Sequence, residues 1–190
     1  VTKRGAMRRA RLLAAAANRF WQFGYGSTSL ADIAGDAEVP LGNVYYYFRT
    51  KQDIARGIAD IFVAETEAML AEIAAAEPDP RRRVLALLRK LSESNASRVK
   101  HGCPIALAVR DFKSGAPDAS WRAAEAFDLL IGFIGRELQR SGARPSTALA
   151  RARGIIVEWQ GGIALSHALG DATVLAESFR RAEQRVLQGY

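Results

Sequence analysis

Few side chains in this 190-residue sequence combine the type and the spacing that chemistry demands. The single cysteine, Cys103, lies in His101-Gly102-Cys103-Pro104, and the only histidines are His101 and His167. One thiol excludes an intramolecular disulfide, and with two imidazoles far apart in sequence it gives little support to a zinc site within one chain. No Glu-x-x-His pair occurs, so the ligand set of a di-metal helical bundle is missing. No catalytic residue, metal or cofactor is expected. Cys103 is the sharpest candidate left. It directly precedes an expected helix whose unpaired amides favour a thiolate, and His101 and Lys100 add positive potential. The competing reading is a small packed thiol without reactivity.

A second group offers hydrogen bonds rather than catalysis. Tyr45, Tyr46 and Tyr47 are consecutive and run into Phe48. On a helix the three rings point in three directions, so at least one is not core. An exposed phenol can donate to a phosphate oxygen while its ring packs on a sugar, which positions a protein on DNA without reading sequence. Tyr45 and Tyr47 suit that role, and Tyr46 is expected to cover the core.

The elements that must hold these tyrosines follow from local signals. Ser29 with Asp32 three residues later forms a capping box, so a helix starts at Leu30, with Leu30, Ile33, Ala34 and Ala37 on one face. Glu38 to Pro40 breaks it, because proline is tolerated in a first helical turn but not in a helix interior. Helix resumes over Asn43 to Phe48, with Val44 and Phe48 inward. Two helices this short bury too little surface to persist alone, and Leu12, Leu13, Ala16 and Phe20 supply the stripe of a supporting helix upstream. The result is a helix-turn-helix whose second helix is carried into DNA.

A capped helix, a turn, and then Gly42-Asn43-Val44-Tyr45-Tyr46-Tyr47-Phe48-Arg49-Thr50-Lys51 resembles the amino-terminal domain of the TetR family of transcriptional repressors. The likeness spans Arg8 to about Phe62. It implies that Thr28 and Ser29 touch phosphates, that Gly42 and Asn43 face base edges, and that Tyr45, Tyr47 and Lys51 hold the DNA backbone. Two positions depart from the family's pattern. Glu38 replaces a turn glycine and is expected to strain the turn, and Leu41 replaces a polar or basic residue, where it either meets a thymine methyl or weakens phosphate contact.

Charge agrees with a nucleic-acid partner. Lys3, Arg4, Arg8, Arg9, Arg11, Arg19, Arg49 and Lys51 stand against Asp32, Asp36 and Glu38 in the first 51 residues, a net of +5 of the chain's +7. Such clustering gives salt-dependent affinity for DNA, although a basic tail can also be a solvated or membrane-surface segment. Lys3 and Arg4 are expected to form a mobile arm. No run of about 18 apolar residues occurs, and no apolar segment of a secretory signal follows the basic start, so a cytoplasmic protein without membrane contact is expected.

Downstream the sequence reads as all-α. Thr50 caps a helix over 51–76, and further helices are expected over 81–100, 104–113, 118–140, 146–169 and 172–187, about nine in total. The domains expected are residues 1–50, a three-helix DNA-binding domain, and 51–190, a helical bundle for effector binding and dimerisation. In the last two helices Ile155, Ile156, Trp159, Ile163 and Leu165, and then Val174, Leu175, Phe179, Ala182, Val186 and Leu187, form apolar stripes. Gly154, Gly161 and Gly162 would let another backbone approach. The two helices are expected to make half of a four-helix homodimer interface, with intrachain core as the other reading.

The TetR resemblance also implies a small-molecule effector, apolar or aromatic, in the larger domain. Phe62, Met69, Val109, Phe112, Phe127 and Trp159 are the candidate lining, although a packed bundle needs such residues as plain core in any case, and Glu158 and Gln160 flank Trp159 for orientation. His101-Gly102-Cys103-Pro104-Ile105-Ala106 resembles a GC motif at the start of the sixth helix in one branch of the family, some of whose members sense electrophiles, and this places Cys103 with the effector candidates. The expected function is a homodimeric repressor on a pseudo-palindromic double-stranded operator, released by its effector. The alternative is a helical ligand-binding or scaffold protein that has lost specific DNA binding.

Overall fold

Caps, breakers and apolar spacing account for the helices that form. A computed structural model describes residues 3–188, and all regular structure among them is α-helical. In chain order the helices are α1 (Lys3–Phe23), α2 (Leu30–Asp36), α3 (Leu41–Tyr47), α4 (Lys51–Ala76), α5 (Pro80–Ser92), α6 (Asn95–His101), α7 (Pro104–Phe112), α8 (Pro117–Arg140), α9 (Pro145–Leu169) and α10 (Ala172–Leu187). The expected helix over 81–100 is divided into α5 and α6, so ten segments stand where nine runs were expected. The division has a local cause. Ser92 Oγ donates to the Arg89 carbonyl at 2.7 Å, and the Glu93 amide bonds back three residues to Lys90 rather than four.

The chain packs as two compact units. One holds the residues up to 63 together with 104–124, and the other holds 64–103 together with those from 125 onward. Their division follows packing, whereas the expected boundary after residue 50 follows the start of α4.

In the first unit, α1 buries Leu12, Leu13, Ala16 and Phe20, the stripe expected from spacing. Each large side chain removed from water stabilises by about 1.5–3 kcal/mol. Ile33, Val44, Phe48, Ile54 and Ile58 complete the core, and Ala108, Phe112, Ala119 and Ala123 from α7 and α8 join it. Reciprocal caps set two helix starts. Asp32 N–H donates to Ser29 Oγ at 3.1 Å while Ser29 N–H donates to Asp32 Oδ2 at 2.8 Å. Thr50 and Asp53 repeat the exchange at 3.1 and 2.9 Å, as expected for a helix starting at Lys51. Pro40 is the N-cap of α3, which begins at Leu41, two residues before the expected resumption. Lys3 and Arg4 do not form an arm; they are the first turn of α1.

In the second unit α9 and α10 lie against each other, and α10 also packs on α5 and α6. Gly162 permits this approach, since a Cβ there would come within 2.2 Å of Ser178 Oγ. Ile155, Ile156, Trp159 and Ile163 of α9, and Leu175, Phe179, Ala182 and Val186 of α10, are buried within the chain. The stripes assigned to a dimer seam are therefore mainly intrachain core, while Leu165 and Leu187 stay exposed. Glu137, 1% exposed, accepts from Arg83 Nη1 at 3.1 Å and from Arg140. Removing one partner from a buried pair of this kind typically costs about 3–5 kcal/mol.

Among the described residues no helix is long and apolar enough to cross a membrane. Nor do three or more His, Cys, Asp or Glu among them cluster so as to hold a metal.

Glu38 carries the strain expected of it. It is the one non-glycine residue with positive φ among those described, at 51°. Its carboxylate meets Arg11 Nη2 at 3.0 Å, in a pair exposed on both sides. The left-handed conformation costs an L-residue roughly 1–2 kcal/mol, and an exposed ion pair returns about 0–1. Glu38→Gly is therefore expected to stabilise by roughly 1 kcal/mol. Thermal denaturation checks this, and a lowered midpoint would show that the Arg11 pair outweighs the strain.

Candidate nucleic-acid interface

A helix of seven residues presents two sides, and in α3 they differ sharply. Val44 is wholly buried and Phe48, just past the end, is 3% exposed. Leu41, Gly42, Asn43, Tyr45 and Tyr46 are all open to solvent. Nothing lies within 4 Å of where a Gly42 Cβ would stand, so this glycine marks open space rather than a packing demand. Asn43 has its amide bonded to the Pro40 carbonyl at 2.8 Å, and its side chain is exposed.

The tyrosines divide differently from expectation. Tyr46, expected to cover the core, is 83% exposed, while Tyr47 is half-buried against the core and meets the Tyr46 ring edge-on at 5.0 Å. The reason is helical phase. Positions 44, 47 and 48 share one face by their spacing of three and four, and position 46 lies opposite. The same rule applied to the sequence identifies Tyr46 as an outward residue. Tyr45 is exposed as expected.

Two of the expected phosphate contacts have their hydroxyls committed inside the protein. Thr28 is 2% exposed and its Oγ1 donates to the Gly24 carbonyl at 3.0 Å. Ser29 Oγ caps α2 and also donates to Asp32 Oδ2 at 2.7 Å. Lys51 is drawn inward too. Its Nζ donates to the carbonyls of Tyr25 at 2.7 Å and Thr28 at 3.0 Å and lies 4.3 Å from the centre of the Tyr25 ring. Burial lowers the Lys51 pKa and raises that of Tyr25. The two carbonyls take two of the three ammonium hydrogens of Lys51.

The acidic groups near α3 are neutralised in place. Arg19 Nε donates to Asp36 at 2.6 Å, and Arg19 Nη1 lies 3.6 Å from Asp32. The hydrogen bond from Arg19 holds the Asp36 carboxyl below the usual range. For Asp32 the hydrogen bonds from Ser29 do most of this and Arg19 adds to it. With Glu38 paired to Arg11, all three acids of the first 51 residues face arginines. Lys3, Arg4, Arg8 and Arg49 make no ion pair among the described residues, so the surface charge they leave is positive.

The effector candidates fall in separate places. Phe62 and Phe112 line one small cavity of about 10 Å³, room for about one water, with Phe112 stacked edge-on to Phe20 and Tyr25. Val109 lines a groove of about 480 Å³, also in the first unit. In the second unit Met69 lines a surface cavity of about 250 Å³, and Phe127 is half-buried. Trp159 is 1% exposed, and Cys103 is buried and receives a hydrogen bond from Gln160 Nε2 at 3.7 Å. Glu158 is not free to orient a ligand, since it binds Arg181 at 2.6 Å and Arg185 at 3.7 Å. Arg98, a half-buried cation near Cys103, was not identified from sequence. It lies over the Trp159 ring at 5.2 Å, and burial lowers its pKa, opposed by Cys103.

A three-helix core that presents one short helix outward, with open polar and aromatic side chains amid positive charge, defines a helix-turn-helix DNA-binding protein. Residues 12–58 match the model of the bacterial regulatory proteins of the tetR family. Residues 80–181 match that of the transcriptional regulator LmrA/YxaF-like C-terminal domain. The chain therefore belongs to the TetR family of transcriptional regulators. A comparison with curated proteins found no match. In fold it is similar to SCO4454, a TetR-family regulator from Streptomyces coelicolor, with a TM-score of 0.83, 22% identity, and 96% of this chain and 95% of that one covered. A TetR regulator from Chloroflexus aurantiacus gives 0.83, 21% identity, and 98% of each chain. One from Agrobacterium tumefaciens gives 0.83, 22%, and 95% and 98%.

The inward and outward tyrosines separate in stability. Tyr46→Ala is expected to change unfolding free energy by less than about 0.5 kcal/mol, and Tyr47→Ala to lower it by about 1–2 kcal/mol. Urea denaturation of the two variants checks this, and equal losses would contradict the assigned faces.

Proposed function

We propose that this regulator is a cytoplasmic homodimeric repressor that binds a pseudo-palindromic operator and releases it when a small-molecule effector binds. The observation that carries the reading is the outward face of α3, where Leu41, Gly42, Asn43, Tyr45 and Tyr46 stand exposed on a helix anchored by Val44 and Phe48. In this reading Gly42 and Asn43 meet base edges, Leu41 meets a thymine methyl, and Tyr45, Tyr46 and the remaining proton of Lys51 hold phosphates. Tyr47 supports the helix from within.

The dimer is assigned to the outer side of α9 and α10 rather than to their buried stripes. Val157 is 69% exposed, Leu165 51% and Leu187 60%, and Gly161 has nothing within 4 Å of a Cβ position. A two-fold dimer sets two recognition helices about 34 Å apart, one turn of DNA. An effector acts by binding better to a state in which that spacing is lost, and only its differential affinity can release the operator.

Fluorescence anisotropy with the protein's own promoter region, against random DNA of equal length and across a salt series, tests DNA recognition. A preference of about a thousandfold or more is expected. Equal weak binding to both would favour a protein that has kept the fold and lost the operator. Asn43→Ala is expected to cost about 1–3 kcal/mol on the promoter and little on random DNA. Val157→Arg is expected to give monomers in sedimentation and to lose promoter affinity with them. A dimer that survives the substitution would place the interface elsewhere.

A further inference from the structure

Between α7 and α8, within the first unit, a groove of about 480 Å³ is lined by Val109, Lys113, Pro117, Ser120, Trp121 and Ala124. Its volume falls in the range of small-molecule sites, roughly 300–1,000 Å³. Trp121 is 77% exposed, which is unusual for so large an apolar surface, whereas Trp159 is 1% exposed. Lys113 is exposed and makes no ion pair among the described residues. Its acidic neighbour in sequence, Asp111, is already held by Arg110 at 2.7 Å. Asp118, on the first turn of α8, lines a different cavity with Gln52, Asp53 and Arg56. The groove thus combines one aromatic face with one uncompensated positive charge.

Its walls are preformed. Ser120 Oγ donates to the Val109 carbonyl at 2.7 Å and ties α8 to α7 across the base. Phe112 and Ala119, at 0% and 2% exposure, fix the two helices from beneath. A ligand entering here would order little protein, so less of its binding energy would be lost to immobilisation. Val109, Pro117 and Ala124 offer only apolar contact, which leaves the indole face and the ammonium to select the ligand.

We propose that this groove binds a small aromatic anion, its ring stacked on the Trp121 indole and its carboxylate or sulfonate paired with Lys113 Nζ. Ring stacking on an exposed indole excludes water from both faces, and the apolar walls strengthen the pairing with the ammonium. The site shares Val109 with the effector residues but does not depend on the effector reading. If it is the effector site, it fixes the effector's class as an aromatic acid.

The test uses the full-length chain and two probes of nearly the same shape, 8-anilinonaphthalene-1-sulfonate and its uncharged counterpart N-phenyl-1-naphthylamine. Energy transfer from tryptophan reports binding. The sulfonate is expected to bind once per chain. Trp121→Ala should weaken it about tenfold and remove most of the transfer. Lys113→Gln should weaken the sulfonate about tenfold and the uncharged probe less than twofold. Both substitutions are at exposed positions, and unchanged circular dichroism confirms that the variants fold. Affinities in both variants within twofold of the parent would overturn the site. So would equal loss of the two probes in Lys113→Gln, which would remove the charge from recognition. Absence of sulfonate binding, with Trp121 shielded from iodide until the protein is diluted, would overturn it in favour of a second copy of the chain covering the groove. Release of promoter DNA by the sulfonate is read separately. Binding without release keeps the site and rejects an effector role for it, and release that persists in both variants assigns the effector to another cavity.

Discussion

One ammonium group fixes the frame on which the recognition helix rests. Lys51 is the first residue of α4, where the helix dipole disfavours a cation. It is held there by what it reaches, the carbonyls of Tyr25 and Thr28 and the face of the Tyr25 ring. Those carbonyls belong to the connection between α1 and α2, so a single side chain secures the end of α1, the entry to α2 and the start of α4. Tyr25 carries the constraint further, because its ring packs edge-on to Phe20 of α1 and Phe112 of α7 at 5.1 and 5.2 Å. The burial that lowers the Lys51 pKa is accompanied by charge-assisted hydrogen bonds to two carbonyls, of which that of Tyr25 also accepts from the Thr28 amide at 3.4 Å.

A frame this firm is needed because α2 and α3 have seven residues each and could not persist in isolation. α3 and its C-cap contribute Val44, Tyr47 and Phe48 to the interior, and Arg9 lies over the Phe48 ring at 5.0 Å. The other residues of α3 are exposed. Asp32, Asp36 and Glu38 are each paired with an arginine, so the three acids of the first 51 residues are offset locally and the remaining basic residues leave that segment net positive.

Local chemistry was legible in the sequence, and choices between neighbouring partners were not. The Ser29 and Asp32 capping box, the Thr50 cap, and the stripe of Leu12, Leu13, Ala16 and Phe20 depend on spacing within one helix and stand as read. Tyr46 was misplaced although the phase set by Val44 and Phe48 fixes its direction. Thr28 could not be placed from spacing, since its burial depends on where the Gly24 carbonyl turns. The stripes of α9 and α10 were visible as apolar faces, but a stripe does not name what covers it, and here each covers the other. Gly162 was read as letting another backbone approach, and the helix that approaches is α10 of the same chain, at Ser178. Arg98 gave no signal at all, because nothing in its neighbourhood of the sequence announces a guanidinium laid on a buried indole 61 positions later.

The packing of residues 104–124 with the residues up to 63 also orders events during synthesis. The DNA-reading unit is discontinuous in the polypeptide, and Phe112, which closes its aromatic cluster, is made 64 residues after Phe48. A nascent chain can form α1 to α3 early, but their core stays open on one side until α7 and the start of α8 have left the ribosome. Domains that are contiguous can fold in the order they are made. This one must wait for its missing wall, and until then it is exposed to any chaperone that binds bare apolar surface.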